Sequence, residues 1–229
     1  PKSLWTANPV GEPIDVLECA DDRNEAERIA DTILMRKSAD KMEFRDFSVL
    51  YRTNAQSLAI ENAFKRSRIP YIVVGGMSFF KRKEIKDTVS YLKLLINPKD
   101  SESLVRVLNE PPRSIGPTSL RHLRDFAQRN EIPLFEAFRR SEEIGELQKR
   151  AVLATKEFQM MIQSFIDQFA ANQDPAILRA YIESTGMMQL YKELNTDDSL
   201  DRYNNIAQLI SDLMHYFKTE EEPSLEAYL

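Results

Sequence analysis

The sequence predicts a fold in two unlike parts, an α/β part over residues 1–80 and an all-α part over residues 81–229. Strand-like and helix-like patterns alternate in the first part, whereas only helical patterns occur in the second. The change falls at Gly75-Gly76, and paired glycines adopt backbone angles that other residues avoid. With 229 residues, of which 42% are hydrophobic, the chain can bury one good core or two modest ones.

Three short apolar runs in the first part predict β-strands at residues 14–18, 47–51 and 71–74. The segments between them predict helices. One begins near Asp22, where Glu25 follows three residues later as in a capping box, and the other spans residues 55–68. Strands joined by helices imply right-handed crossovers, so we expect a three-stranded parallel sheet with flanking helices. Such a thin sheet has bare edges, which indicates part of a larger α/β domain.

The second part of the chain shows helical spacing alone. The helix after residue 81 carries one apolar stripe and ends at Asn97-Pro98. Pro117 and Pro133 stand where two further helices begin, and the longest helix is predicted over residues 142–172. Apolar residues along that helix alternate three and four apart, a heptad pattern that predicts packing along another long helix.

The net charge of −5 is unevenly distributed along the chain. Residues 1–80 have a net charge of −1, residues 81–129 have 11 Lys and Arg against 6 Asp and Glu, a net of +5, and residues 130–229 have a net of −9. A polyanion would therefore meet the middle third and be repelled by the last. An ordinary solvated charged face gives the same pattern, so charge alone leaves both explanations open.

The composition argues against several classes of protein. No apolar run approaches the roughly 18 residues that span a bilayer, so we expect no membrane partner. The single cysteine, Cys19, excludes an internal disulfide and fits a reducing cytoplasm, and with only two histidines we expect no metal site. The sequence contains no Gly-x-x-x-x-Gly-Lys-Ser/Thr motif, so we expect no triphosphate site and no catalytic residue in this chain.

The first candidate site follows the second predicted strand. Arg52, Thr53 and Asn54 stand where that strand ends and a helix begins. Ligands of open α/β sheets gather beyond the carboxyl ends of the strands, and the N-terminal amides of a helix favour an anion there. Arginine pairs with phosphate or stacks on a base, while Thr and Asn donate to phosphate oxygens. The alternative is that Thr53 or Asn54 only caps the helix and that Arg52 is solvated.

The second candidate site is the turn at residues 111–120. Gly116 precedes a helix there, which exposes backbone amides and the positive end of the helix, an arrangement that binds phosphate independently of sequence. Arg113 and Arg121 add positive charge, together with Arg124. An ordinary corner between two helices remains the alternative.

Longer motifs in the chain resemble one family. From residue 70 to 100 the ungapped order Pro-Tyr, Gly-Gly, Phe, Arg-Lys-Glu-Ile-Lys-Asp, Tyr-Leu, Asn-Pro resembles the joint between subdomains 2A and 2B of the UvrD/Rep/PcrA family of superfamily 1 DNA helicases. The segment Leu-Tyr-Arg-Thr-Asn-Ala-Gln-Ser is similar to the family segment that grips single-stranded DNA, although Leu58 stands where the family usually has Arg. The turn at residues 111–120 resembles the Gly-Ile-Gly hairpin of the family, with Ser114 in place of the first glycine.

The resemblance covers essentially the whole chain. It implies a partial RecA-like motor subdomain 2A over residues 1–80 and a helical subdomain 2B over residues 81–229. It implies that Arg52, Thr53 and Asn54 contact single-stranded DNA. It also implies that the hairpin holds duplex DNA through Arg113, Ser114, Ile115, Gly116, Thr118 and Arg121. The expected function is that of a DNA-binding and regulatory segment of an ATP-dependent 3′→5′ helicase that unwinds duplex DNA in repair or replication.

The same resemblance implies the cofactors and partners. ATP and Mg²⁺ would serve the intact helicase, whereas this chain, read as an excised piece, would hold no cofactor and have no catalysis of its own. The expected partners are single-stranded and duplex DNA, the remaining motor domains of the same protein and repair proteins, all in the cytoplasm. The alternative from a different class is a stand-alone helical module that binds protein through its heptad helices and acidic tail.

Overall fold

The computed structural model describes residues 6–9, 11–74 and 78–229. The α-helices in these ranges are α1 (Asp22–Ala39), α2 (Ser57–Arg66), α3 (Lys83–Ile96), α4 (Ser101–Val107), α5 (Pro117–Arg129), α6 (Leu134–Arg139), α7 (Lys149–Asn172), α8 (Pro175–Ser184), α9 (Met187–Leu194), α10 (Asp197–Thr219) and α11 (Leu225–Tyr228). Short 3₁₀ helices occupy Phe44–Asp46, Asn54–Gln56, Phe79–Lys81 and Ser141–Glu143.

The prediction of a three-stranded parallel sheet is wrong, since the described residues contain no β-strand. The three runs predicted as strands have no regular secondary structure. Some of their apolar side chains face solvent, with Ile14 93% exposed, Leu50 93% and Ile72 86%, whereas Phe47, Val49 and Tyr71 are partly buried against a small apolar cluster. A β-branched run indicates a segment that suits a paired, half-buried surface, and it forms a strand only where neighbouring segments supply hydrogen bonds. The described part of this chain supplies none of those neighbours.

The prediction of a helical second part is confirmed within the described residues. Helices α3 to α11 share one large hydrophobic core. Tyr91 of α3 lies inside it, with its ring edge-on to Tyr181 of α8 at 5.9 Å and to Phe158 of α7 at 6.4 Å between centroids. Such edge-to-face contacts are a favoured geometry for buried aromatic pairs.

The longest helix begins later than predicted. Helix α7 starts at Lys149, and residues 144–148 form a loop. Ile144 and Leu147, which contributed to the heptad pattern, are buried in the core from that loop instead of from a helix. The main neighbours of α7 are α3, α6 and α8, so its apolar stripe packs against several shorter helices.

A smaller core lies under α1 and α2. It joins Ala26, Ala30 and Ile33 of α1 to Ala59, Ala63 and Phe64 of α2, together with Ile69. The α1 residues of this core are spaced as on one face of a helix. Asp21 caps the helix by accepting from the Asn24 N–H at 2.8 Å, one residue before Asp22, where the sequence predicted the capping box.

Helix α10 returns to the first part of the chain. Arg23 of α1 lies 3.7 Å from the Asp212 carboxylate of α10, which also accepts from Asn62 Nδ2 of α2 at 3.2 Å. Leu209 of α10 is fully buried in a further apolar cluster with Leu58, Phe79 and Ile85. Contacts therefore cross the predicted division at residue 80, and the domain boundaries of 1–80 and 81–229 stay a prediction. Within the described ranges, no helix combines the length and apolarity needed to cross a bilayer.

Candidate nucleic-acid interface

The backbone of residues 52–54 is held by the side chain of Gln56. Gln56 Oε1 accepts from the Arg52 N–H at 3.0 Å and from the Thr53 N–H at 2.9 Å, and the Thr53 hydroxyl lies 3.3 Å from the same oxygen. Thr53 is the N-cap of the 3₁₀ helix that leads into α2, in a capping box with Gln56. The sequence interpretation missed Gln56, although the Thr-x-x-Gln spacing is the signal of such a box.

Arg52 and Asn54 differ in the hydrogen bonds that their side chains make with the described residues. The Arg52 side chain is exposed, and no described residue accepts a hydrogen bond from its guanidinium. Asn54 is also exposed, but its Oδ1 accepts from Arg82 Nη2 at 3.1 Å, and its Nδ2 donates to Asp201 Oδ2 at 3.4 Å. The segment therefore presents one unengaged cation beside an amide that is already oriented.

The turn between α4 and α5 contains a strained serine. Ser114 has φ of 62°, in the left-handed region that favours glycine, and its hydroxyl accepts from Arg150 Nη2 at 2.8 Å. Gly116 has φ of −72° and ψ of 169°, which any residue adopts, and a Cβ added there would meet no atom within 4 Å. The conformational need for glycine therefore lies at position 114, where the resembled hairpin has its first glycine.

Arg113 is turned inward. Its guanidinium donates to four backbone carbonyl oxygens at 2.9 to 3.3 Å, those of Val107, Leu108, Pro111 and Thr185. It also lies 4.6 Å from the centre of the Phe158 ring, within cation–π distance. Burial raises the pKa of Tyr91 to about 12, although the nearby Arg113 charge opposes the shift. Arg113, which is half-buried, therefore shapes the turn from inside, and its contact with duplex DNA stays a prediction.

Ile115 is buried, and its backbone is also engaged. Its N–H donates to Asn109 Oδ1 at 3.3 Å, and its carbonyl accepts from Asn109 Nδ2 at 2.6 Å. Asn109 Oδ1 accepts from the Arg113 N–H as well, at 3.2 Å. The sequence interpretation missed Asn109, because nothing local indicates that its amide spans the turn.

The outer surface of the turn keeps the groups that suit phosphate. Thr118 and Arg121 are exposed on the first turns of α5, and Arg124 is exposed one turn further on. Gly116 is the N-cap of α5 and makes no side-chain capping bond, so the first amides of the helix are uncapped. Arg150, which the sequence interpretation missed, adds an exposed guanidinium through its bond to Ser114. Exposed amides and guanidinium groups bind phosphate without reading base sequence.

Two consecutive residues connect the candidate sites. Arg82 bonds to Asn54, and Lys83 Nζ lies 2.7 Å from Glu110 Oε1 at the start of the turn. Lys83 also lies 2.8 Å from the buried Asp87 carboxylate. Burial alone would lower the pKa of Lys83, but the hydrogen bonds and charges of Asp87 and Glu110 outweigh it and raise that pKa. Lys83 is therefore held as a cation between α3 and the turn.

Comparison with known proteins agrees with this arrangement of motifs. The sequence profile of the UvrD-like helicase C-terminal domain matches residues 1–229. The chain belongs to this family. The resemblance predicted from the joint, the strand-end segment and the hairpin is thereby confirmed.

Relatives of this UvrD-like domain carry the name ATP-dependent DNA helicase PcrA. One from Staphylococcus aureus is 37% identical over 226 residues, and one from Staphylococcus epidermidis is 35% identical over 226 residues. In both alignments 99% of this chain is covered, but only 30% of the relative. The UvrD-like domain described here therefore spans about a third of the length of these helicases.

Proposed function

We propose that this chain is the DNA-contacting and regulatory segment of an ATP-dependent helicase that moves 3′→5′ along one strand and unwinds the duplex ahead. In this proposal residues 1–80 belong to motor subdomain 2A and residues 81–229 to subdomain 2B. The observation that carries it is the exposed guanidinium of Arg52, which no described residue engages and whose backbone Gln56 fixes. The helicase family model matches the chain throughout. Arginine in such a position pairs with phosphate or stacks on an unpaired base.

The single strand would pass over residues 52–54. Arg52 supplies the charge that attracts the backbone, and Asn54 supplies an amide donor beside it. Thr53 positions the segment through its capping box with Gln56. The absence of base-edge selectivity in such contacts suits a motor that must move along any sequence.

The duplex would contact the outer surface of the α4–α5 turn. Gly116, Thr118 and Arg121 offer amides, a hydroxyl and a guanidinium at the positive end of α5. Ser114 and Arg113 serve this surface by fixing the shape of the turn, and Ile115 anchors it in the core. Binding there depends on backbone phosphates, so it falls steeply as salt rises.

We propose that this chain itself holds neither ATP nor Mg²⁺. The sequence has no P-loop motif, and the described residues contain no cluster of three or more His, Cys, Asp or Glu side chains that could hold a metal ion. The nucleotide would then bind to other parts of the intact helicase. The contribution of this chain is to hold DNA while those parts move.

The test is Arg52→Ala in the full-length protein that carries this chain. We expect single-strand affinity to fall by about 1 to 3 kcal/mol, because one charge-assisted contact is lost. The slope of log affinity against log salt should decrease by about one if Arg52 contacts phosphate. ATP turnover should continue with less unwinding per ATP. Fluorescence anisotropy and strand-displacement assays measure these quantities.

Arg179→Ala provides the matched control, since Arg179 is an exposed arginine on α8, away from both candidate sites in the sequence. It removes the same charge and should leave affinity and unwinding unchanged. Wild-type affinity and unwinding in Arg52→Ala would mean that Arg52 is only a solvated residue at the start of a helix. Equal losses in both variants would indicate a general effect of net charge.

A further inference from the structure

A chain of buried hydrogen bonds ends at Asn54. Arg82 is only 8% exposed and donates through Nη2 to Asn54 Oδ1 at 3.1 Å and through Nη1 to Asn205 Oδ1 at 3.5 Å. Asn205, which is also buried, donates through Nδ2 to Glu84 Oε1 at 2.8 Å. One guanidinium therefore holds the side-chain oxygens of two asparagines that are distant in sequence.

The chemistry of the two charged groups fixes the orientation of both amides. A carboxylate only accepts, so the atom of Asn205 that faces Glu84 is the nitrogen, and its oxygen faces Arg82. A guanidinium only donates, so the atom of Asn54 that faces Arg82 is the oxygen. The Asn54 nitrogen consequently lies on the opposite side, where one of its hydrogens bonds to Asp201 Oδ2 at 3.4 Å.

The second hydrogen of Asn54 Nδ2 is directed away from Arg82 on an exposed residue. Phosphate oxygens and base carbonyls are acceptors, so an outward amide nitrogen attracts them, whereas an outward amide oxygen would repel them. Without Arg82 only the 3.4 Å bond to Asp201 would hold the amide in this orientation. The orientation of Asn54 thus decides whether it helps or hinders the strand.

We propose that Arg82 is a positioning residue for strand binding, which holds the Asn54 amide with its nitrogen directed toward single-stranded DNA. This inference rests on the proposed function of residues 52–54 and adds a residue that neither the motifs nor the comparisons assign. Because Arg82 and Glu84 flank the start of α3 and Asn205 lies on α10, the proposal also makes strand binding sensitive to the contact between these two helices.

The test uses the full-length protein and a fluorescent oligo(dT) strand. We expect Arg82→Met to lower strand affinity roughly five- to tenfold, about as much as Asn54→Ala, since each removes the directed donor. In the Asn54→Ala background, Arg82→Met should cause no further loss, because there is no amide left to orient. Affinity for a blunt duplex should stay at the wild-type value in all three variants.

A purely structural role gives a different result. Arg82→Met would then lower strand affinity by the same factor with and without Asn54, or lower the melting temperature while leaving affinity unchanged. Either result would overturn the proposal. If Arg82→Met does not fold, Asn54→Asp decides: aspartate still accepts from Arg82 but has no N–H to present. Wild-type affinity in that variant, measured at low and high salt, would overturn the proposal, and a loss that persists at high salt would support it.

Failure of this inference is distinguishable from failure of the proposed function. If Arg52→Ala weakens strand binding and Arg82→Met does not, the strand binds at residues 52–54 without help from Arg82. If neither variant weakens binding, the strand does not bind at this segment, and both proposals are wrong.

Discussion

Ser114 accepts a hydrogen bond from Arg150 Nη2 at 2.8 Å while its own backbone has φ of 62°. The contact joins the α4–α5 turn to the first turn of α7. It also accompanies a backbone conformation that costs a non-glycine residue about 1 to 2 kcal/mol. The hydrogen bond offsets only a small part of that cost, because a bond between exposed groups contributes little to stability.

Glycine at position 114 should therefore stabilise the turn relative to alanine. We expect Ser114→Gly to be about 1 kcal/mol more stable than Ser114→Ala in urea unfolding, because both lack the hydroxyl and only alanine keeps the strain. The alanine variant serves as the matched control for the lost bond to Arg150. Equal midpoints for the two variants would show that φ at this position is not a source of strain.

A methyl group at position 116 should weaken DNA binding and leave the fold intact. Gly116 has ordinary backbone angles and open space at its Cβ, so Gly116→Ala should change the free energy of unfolding by less than about 0.5 kcal/mol. If phosphate approaches this amide, affinity for a single-strand–duplex junction should fall while affinity for a single strand stays unchanged.

Gly145→Ala is the control for this substitution, since Gly145 lies in a loop and also has open space at its Cβ. Anisotropy titrations with both substrates measure the outcome. Unchanged junction affinity in Gly116→Ala would remove the turn from the path of the duplex.

Near the joint, truncation of Glu61 should lower the free energy of unfolding more than truncation of any other polar residue. Its buried carboxylate accepts from Tyr71 Oη at 2.9 Å, from the Phe79 N–H at 2.8 Å and from the hydroxyl of Ser78. We expect Glu61→Ala to lower the free energy of unfolding by about 3 to 5 kcal/mol, because these donors lose their acceptor.

Glu61→Gln keeps the size of the side chain and one accepting oxygen, so it should cost clearly less than Glu61→Ala in the same urea unfolding experiment. A loss below about 1 kcal/mol in Glu61→Ala, which is the contribution of one ordinary hydrogen bond, would mean that water replaces the carboxylate as an acceptor for these donors.

The stability that Asp100 contributes should depend on pH. Asp100 is the N-cap of α4, and hydrogen bonds from the Ser103 backbone and hydroxyl lower its pKa from the ordinary 3.8. A lowered folded pKa means that the stabilisation is complete above the unfolded pKa and is lost as pH falls through the folded pKa. The free energy of unfolding of the wild type should exceed that of Asp100→Ala by about 1 kcal/mol at neutral pH. This difference should shrink below about pH 4.

Asp100→Asn keeps a capping oxygen that does not titrate. The free energy of unfolding of Asp100→Asn should exceed that of Asp100→Ala by the same amount at neutral and at acidic pH. Thermal unfolding of the three proteins across this pH range measures these differences. If the difference in free energy of unfolding between the wild type and Asp100→Ala also stays constant with pH, the ionised carboxylate has no role in the cap.

The sequence by itself determined the features that depend on near neighbours. The start of α1 near Asp22, the apolar stripe of α3, the prolines at the starts of α5 and α6, and the family motifs are all local, because helical spacing and capping bonds span only three or four residues. The candidate segment 52–54 and the α4–α5 turn were found for the same reason.

Only the tertiary structure decided which side chains at these sites face solvent. Arg113 looked like a surface cation, but two distant groups, the Thr185 carbonyl oxygen and the Phe158 ring of α7, add to local carbonyl oxygens and draw it inward. The fold also brings Arg82 against Asn205, which is more than a hundred residues away in sequence. The predicted sheet failed likewise, because a strand needs partners outside its own segment, and apolar residues such as Ile14 and Ile72 have none among the described residues.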